Sequence, residues 1–204
     1  THLQNMRLDG TGCADAHPTG EALGTVLGDD IYDGVQSWLD ANAPGGDQVA
    51  NVVYGWDWRK SPDAAMVGLN TAIDDALSQD LPKRQGADRV VFLAHSYGGL
   101  LGTWYMRQSQ ANADKVARVL TMGTPWWGSP KVLMPLAFGI ETPVNEPGMD
   151  LVLPNDDLQA FARSLAGLFE LFPSGHFGPW LVAGGKVQDS AGVRATVQAL
   201  GGDP

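Results

Sequence analysis

The sequence predicts an α/β protein built on a parallel sheet, and three observations carry that prediction. The first is Val90-Val91-Phe92-Leu93, an unbroken apolar run of the kind expected of a strand buried on both faces of a parallel sheet. The second is the period that follows at once: Leu100, Leu101, Trp104 and Tyr105 recur with helical spacing and mark one apolar face. The third is alternation along the chain. Apolar runs at residues 49–54, 90–93 and 116–122 are separated by two stretches of helical period, an order that gives a parallel sheet with two crossovers.

Taken in order, residues 1–28 are rich in Gly, Asp, Thr and Ala without a sustained period and read as loop. Ile31, Val35, Trp38 and Leu39 then share a helical face, with Asp29 and Asp30 at the end where the helix dipole favours negative charge. Pro44-Gly45-Gly46-Asp47 breaks the chain before the first strand, which ends in Gly55-Trp56-Asp57-Trp58-Arg59. Ser61-Pro62-Asp63 supplies an N-cap, a proline at the first helical position and an acid in the first turn. The helix it opens is expected to bury Met66, Leu69, Ile73 and Leu77. Pro82-Lys83-Arg84-Gln85-Gly86 leads into the second strand, and the third closes on Gly123-Thr124-Pro125-Trp126-Trp127-Gly128-Ser129.

Beyond that point the pattern changes. Residues 140–154 hold three prolines and several acids and read as an extended loop. Leu158, Phe161, Ala162, Leu165, Leu168 and Phe169 mark one amphipathic helix, residues 171–180 are broken by Pro and Gly, and a last helix is expected over 190–200. No strand is read after residue 122. The expected organisation is a partial core over residues 1–139 and a helical cap or lid over residues 140–204, within one domain.

Composition narrows the function. With 204 residues, one domain with a full core is the leading expectation. A net charge of -10 argues against nucleic acid or an anionic membrane as partner. A lone Cys13 excludes an internal disulfide, no apolar run reaches membrane-spanning length, and no Asp, Glu or His cluster has metal-ligand spacing, so neither metal nor cofactor is expected. Oligomeric state and localisation are not legible, and a chain that starts at Thr1 is expected to have lost its true N-terminus.

Between the second strand and its helix lies Ala94-His95-Ser96-Tyr97-Gly98-Gly99, the nucleophile-elbow pattern G-x-S-x-G with alanine first. An elbow holds its serine in a strained turn above the end of the sheet. Small residues two before and two after the serine, here Ala94 and Gly98, let strand and helix approach. The helix end behind Ser96 offers unpaired N–H groups to a developing oxyanion, with the Tyr97 backbone N–H as the expected donor. The bland alternative is a serine in an ordinary strand-to-helix turn.

Three segments together resemble the lecithin:cholesterol acyltransferase-like family of α/β-hydrolases, in particular its bacterial members. Tyr54-Gly55-Trp56-Asp57-Trp58-Arg59 looks like that family's aromatic-x-x-Asp-Trp-Arg strand end. Ala94 to Gly99 looks like its elbow, and Gly123-Thr124-Pro125-Trp126-Trp127-Gly128 is similar to its Gly-[Thr/Ala]-Pro-x-x-Gly segment. Leu168 to Ser174 is weakly similar to a cap segment. The resemblance implies an α/β-hydrolase-type parallel sheet with nucleophile elbow and helical cap. It also implies acyl transfer on a lipid or small ester through acyl-Ser96. The acceptor is water or an alcohol, and the rival reading is a non-catalytic fold fragment or binding module that keeps the elbow without a triad. In the family the catalytic aspartate and histidine follow the cap, so the chain is expected to be a fragment whose acid and base lie beyond Pro204.

Other candidates remain open. His176 with Asp156 or Asp157 has the right chain order for a triad, but no strand leads into Gly175-His176-Phe177, and a cap histidine is the competing reading. Arg59 either holds a polar group or cap carboxylate, or pairs with Asp57 to fix a loop. Trp126 and Trp127 either line an acyl pocket or pack the cap. Asp57 and Trp58 are carried as possible contacts beside them. His95 abuts Ser96 but points away in an elbow and is expected to be structural.

Overall fold

The computed structural model describes residues 25–26, 29–30, 32–42, 51–78, 88–139 and 155–199. The sequence expectations for residues 1–24, 31, 44–47, 49–50, 82–86 and 140–154 fall outside them. The chain divides into two compact units. One contains Trp58–Ser61 and Pro125–Pro204, the other Pro18–Asp57 and Pro62–Thr124.

In the second of these, β1 (Thr25–Val26) pairs antiparallel with β2 (Asp29–Asp30), followed by α1 (Asp33–Asn42). Asp29 and Asp30 therefore sit in a short ladder rather than in the first turn of the helix. A 3-10 turn over Pro62–Ala65 runs into α2 (Met66–Ser78), and β3 (Val90–His95), α3 (Tyr97–Gln108), α4 (Gln110–Asp114) and β4 (Val116–Met122) complete the unit. β3 and β4 pair in parallel from Val90↔Val116 to His95↔Met122, with an irregularity after Val90 that leaves Ala117 without a partner.

Two sequence expectations are corrected here. Among the described residues the parallel sheet has two strands, because residues 51–54 form no strand. An apolar run becomes a strand only when a neighbour takes up its hydrogen bonds. Here Val52 and Val53 are exposed, while Tyr54 and Trp56 pack onto the core and the Tyr54 hydroxyl donates to Ala65 O at 3.0 Å. The second correction concerns β3, which among the described residues is covered on one face only. Val90 and Phe92 pack against Ala65, Leu69, Ile73, Leu101 and Tyr105, whereas Val91 and Leu93 are exposed beside Leu120 and Met122 of β4.

The apolar spacing of α2 and α3 did place their buried faces. Leu69 and Ile73 are buried with Met66 and Leu77 at the margin, and Leu101 and Tyr105 are buried in α3. Trp104 is the exception: it is partly exposed, and its indole N–H donates to Asp63 at 2.7 Å. A polar layer crosses from α2 to the start of β4. Tyr105 donates to Asn70 Oδ1 at 2.9 Å, and the Lys115 ammonium donates to the same oxygen at 3.0 Å and to Asp74 at 2.5 Å.

The other unit is built from short helices. These are α5 (Leu133–Phe138), α6 (Asn155–Arg163), α7 (Ala166–Phe169) and α8 (Ser190–Ala199), with 3-10 turns at Pro130–Val132 and Gly175–Phe177. Val132, Leu136 and Ala162 form its buried centre, with Leu168, Phe169 and Phe172 packed against them. The single amphipathic helix expected through Phe169 is broken at Leu165, whose backbone is extended (φ -95°, ψ 99°). The break has a cause in packing. It brings Gly167 against the backbone of Trp58 and Lys60, and the Gly167 N–H donates to Arg59 O at 3.0 Å. One hairpin went unread. β5 (Val182–Ala183) and β6 (Lys186–Val187) join through Gly184-Gly185, both at positive φ as a tight primed turn requires.

Candidate functional site

Ser96 is the residue between β3 and α3. Its backbone lies at φ 51° and ψ -123°, and it is the sole non-glycine at positive φ among the described residues. These angles match the first central position of a type II′ turn, which glycine normally fills, and hold about 1–3 kcal/mol of strain. The surrounding bonds impose the conformation. The Ser96 N–H donates to Met122 O at 2.8 Å, locking the turn to the end of β4, and the Gly99 N–H donates to Ser96 O at 3.2 Å, opening the helix. The Ser96 side chain makes no capping bond to α3, so its hydroxyl is not consumed by the helix it precedes. Tyr97 heads that helix, where N–H groups lack intrahelical acceptors. Its ring meets Trp56 edge-on at 5.0 Å.

Close approach at the turn falls one residue later than the sequence suggests. A Cβ on Gly98 would meet only Ala94 Cβ, at an ordinary 3.6 Å. A Cβ on Gly99 would fall onto the Thr124 hydroxyl and lie 2.8 Å from Thr124 Cγ2. Thr124 thus fits the space that Gly99 leaves open. His95 continues β3 and pairs across to Met122; its Nδ1 shares a hydrogen bond of 2.6 Å with the Tyr32 hydroxyl, and the two rings meet edge-on. Tyr32 lies beside the apolar face read for α1 and has no signal of its own; Thr124 stands in the Gly-[Thr/Ala]-Pro-x-x-Gly segment, but its fit against Gly99 is invisible to periodicity.

Asp57 is half-buried. In the other unit, Arg59 is the buried charged residue among those described, with 3% of its surface exposed, while Trp58 beside it is exposed. Trp126 and Trp127 are both exposed, and Trp127 packs against the His176 ring at 5.1 Å. Asp156 and Asp157 lie in the first turn of α6, and His176 lies in the 3-10 turn Gly175–Phe177. Among the described residues no hydrogen bond or ion pair joins His176 to either aspartate. No group of three or more His, Cys, Asp or Glu among them is placed to hold a metal ion.

The profile of the lecithin:cholesterol acyltransferase family matches residues 27–187, well over half of the chain. The chain belongs to that family. No curated protein matches it. That family is one of α/β-hydrolases acting on lipid substrates, and the matched span takes in Asp57, Ser96, the Gly123-Thr124-Pro125 turn and His176. No helix among the described residues is long and apolar enough to cross a membrane.

Proposed function

We propose that the protein is a serine-dependent acyltransferase or lipase acting on lipid esters, with Ser96 as nucleophile. The observation that carries this reading is the Ser96 backbone at φ 51°, held between a parallel strand and a helix N-terminus. A strained non-glycine turn persists only where surrounding bonds over-determine it, and such sites cluster where chemistry needs them. Family membership supplies the substrate class.

In the proposed reaction the Ser96 hydroxyl attacks the ester carbonyl while a general base takes its proton. The tetrahedral oxyanion is held by the Tyr97 N–H, and collapse expels the alcohol, protonated as it leaves, to give acyl-Ser96. Water or an acceptor alcohol then attacks the acyl group, and Ser96 regains its proton. Residues 140–204 are read as the cap of an α/β-hydrolase whose core lies before them. Asp57, Trp58 and Arg59 are read, from the family resemblance, as possible substrate or cap contacts. Trp126 and Trp127 are read as belonging to the cap side. Because His176 packs on Trp127 without a carboxylate partner among the described residues, it is read as a cap residue and not as the base.

The test is labelling of the intact protein with a fluorophosphonate, read by mass, beside turnover of a short p-nitrophenyl ester. Ser96→Ala is expected to abolish labelling and to lower turnover about 10⁴–10⁶-fold. Survival of either would remove Ser96 from the mechanism, and no labelling of the parent would favour a non-catalytic binding module. Labelling is expected to survive His176→Ala. Its loss there would make His176 the base.

A further inference from the structure

The Thr124 hydroxyl is a polar group beside the elbow that the proposed reaction leaves unused. It is buried, and among the described residues it has no hydrogen-bond partner. A buried hydroxyl without a partner lowers stability relative to an apolar group that fits the same space. Here the space is narrow. The direction in which a Cβ would leave Gly99 runs onto that oxygen, and such an atom would stand 2.8 Å from Thr124 Cγ2 and 2.9 Å from Thr124 Cβ. A methyl group is wider than a hydroxyl oxygen, so an apolar side chain of the same shape would press on Gly99. The hydroxyl lets the first turn of α3 lie closer to β4 than a methyl would.

The same stretch of chain grips the turn at its other end. The Ser96 N–H donates to Met122 O at 2.8 Å, and past Gly123, at φ 61°, Thr124 meets Gly99. Ser96 and Gly99 are also joined to each other, through the Gly99 N–H and Ser96 O at 3.2 Å. Tyr97 and Gly98 are the two residues between these points. The Tyr97 N–H, the proposed oxyanion donor, therefore takes its place from both ends of the grip. Gly98 adds no comparable stop, since a Cβ there would meet only Ala94 at 3.6 Å. An oxyanion donor acts only within hydrogen-bond reach of the developing charge, and small displacements of a positioned group are costly in rate.

We propose that Thr124 is a positioning residue for acyl transfer: its hydroxyl, seated on Gly99, sets where the Tyr97 N–H stands relative to Ser96. The proposal rests on the reading of Ser96 as nucleophile. Thr124 acts through Gly99 and not on the reacting atoms.

Turnover of a short p-nitrophenyl ester, divided by the fraction of molecules that a fluorophosphonate labels at completion, tests it on the intact protein. Thr124→Val is expected to lower kcat per labelled molecule about tenfold, short of the roughly 10²–10³-fold that losing a donor outright costs, with KM within about twofold of the parent's. In that variant the relief of the orphaned hydroxyl and the pressure on Gly99 oppose each other, so its melting midpoint is expected to stay close to the parent's. Thr124→Ala leaves Gly99 unsupported and is expected to lower kcat about threefold or more. Thr124→Ser keeps the oxygen and is expected to recover most of that loss. A purely structural role would lower the midpoint and the labelled fraction and leave kcat per labelled molecule unchanged, and that result overturns the proposal. Thr124→Ser as slow as Thr124→Ala overturns it in favour of the methyl group, and this pair decides if Thr124→Val does not fold. A parent that takes no label overturns the Ser96 reading and this inference with it. A labelled parent whose Thr124→Val variant keeps the parental kcat overturns this inference alone.

Discussion

In the unit that carries Ser96, elements adjacent in the chain are adjacent in space. β3 feeds α3, α4 leads back to β4, and β4 pairs with β3. In the unit that carries His176, the joints are backbone to backbone and link distant segments. Gly167 donates to Arg59 O, Ser129 to Leu171 O, and Ser174 to Trp127 O. At Gly128 an added Cβ would lie 2.6 Å from the Phe172 carbonyl carbon. The first unit is specified by side-chain pattern and size. The second is specified by where a side chain is missing. Substitutions of glycine therefore separate the two, because a clash with backbone cannot be relieved by a rotamer change.

The largest effect is expected at Gly167→Ala. Its Cβ would fall on the Trp58 carbonyl oxygen and within 2.6 Å of Lys60 O, so a loss of about 3 kcal/mol or more is expected in denaturant melts. A wild-type midpoint would dissolve the distinction between the units. Next comes Gly99→Ala, where the obstacle is the short Thr124 side chain, and about 1–3 kcal/mol is expected. Thr124→Ala should recover part of that loss in a double-mutant cycle, as side-chain packing predicts and a backbone clash does not. Gly98→Ala serves as the internal control. It should be neutral or stabilising by up to about 1 kcal/mol, since helix propensity favours alanine and the site has room.

Ser96→Gly sharpens the comparison from the opposite side. Relief of the positive φ should stabilise the fold by roughly 1 kcal/mol while removing the proposed nucleophile. A destabilised Ser96→Gly would mean that the turn is not strained.

The smallest effect is electrostatic. The hydrogen bond from Lys115 holds the Asp74 carboxyl below the ordinary carboxylate range, and the same bond raises Lys115. A depressed acid contributes stability above its unfolded pKa and loses it as pH falls through the folded value. The raised Lys115 contributes below its unfolded pKa and loses it as pH rises through the folded one. Asp74→Asn should therefore flatten the acid limb of the stability profile slightly and leave mid-range pH least changed in slope. An unchanged acid limb would show that this half-exposed pair is screened out.

How much of this was legible follows from the same contrast. Leu69, Ile73, Leu101 and Tyr105 announced their burial because helical period reports which face meets a core. The Ala94 to Gly99 pattern announced the turn because only a few residue types fit it. Residues 51–54 misled because an apolar run does not reveal whether a neighbour will pair with it. The break at Leu165 misled because its cause, Gly167 meeting Trp58 and Lys60, lies about a hundred residues away in the sequence. Gly184-Gly185 is a local turn signal, but the strands it joins are two residues each and too short to show an alternating pattern.

The uninterrupted run from β3 to β4 has a consequence in time. The pairing of Val90 with Val116 closes a loop filled by α3 and α4, and such helices form on a scale of about a microsecond. Chain closure over so short a span is entropically mild, so we expect this segment to assemble early and to open late. Slow amide exchange at Phe92 and Leu120, outlasting that of α6, would show it. Exchange at those amides as fast as in α6 would refute it. The serine turn would then be in place before the long-range backbone bonds of the other unit have found their partners.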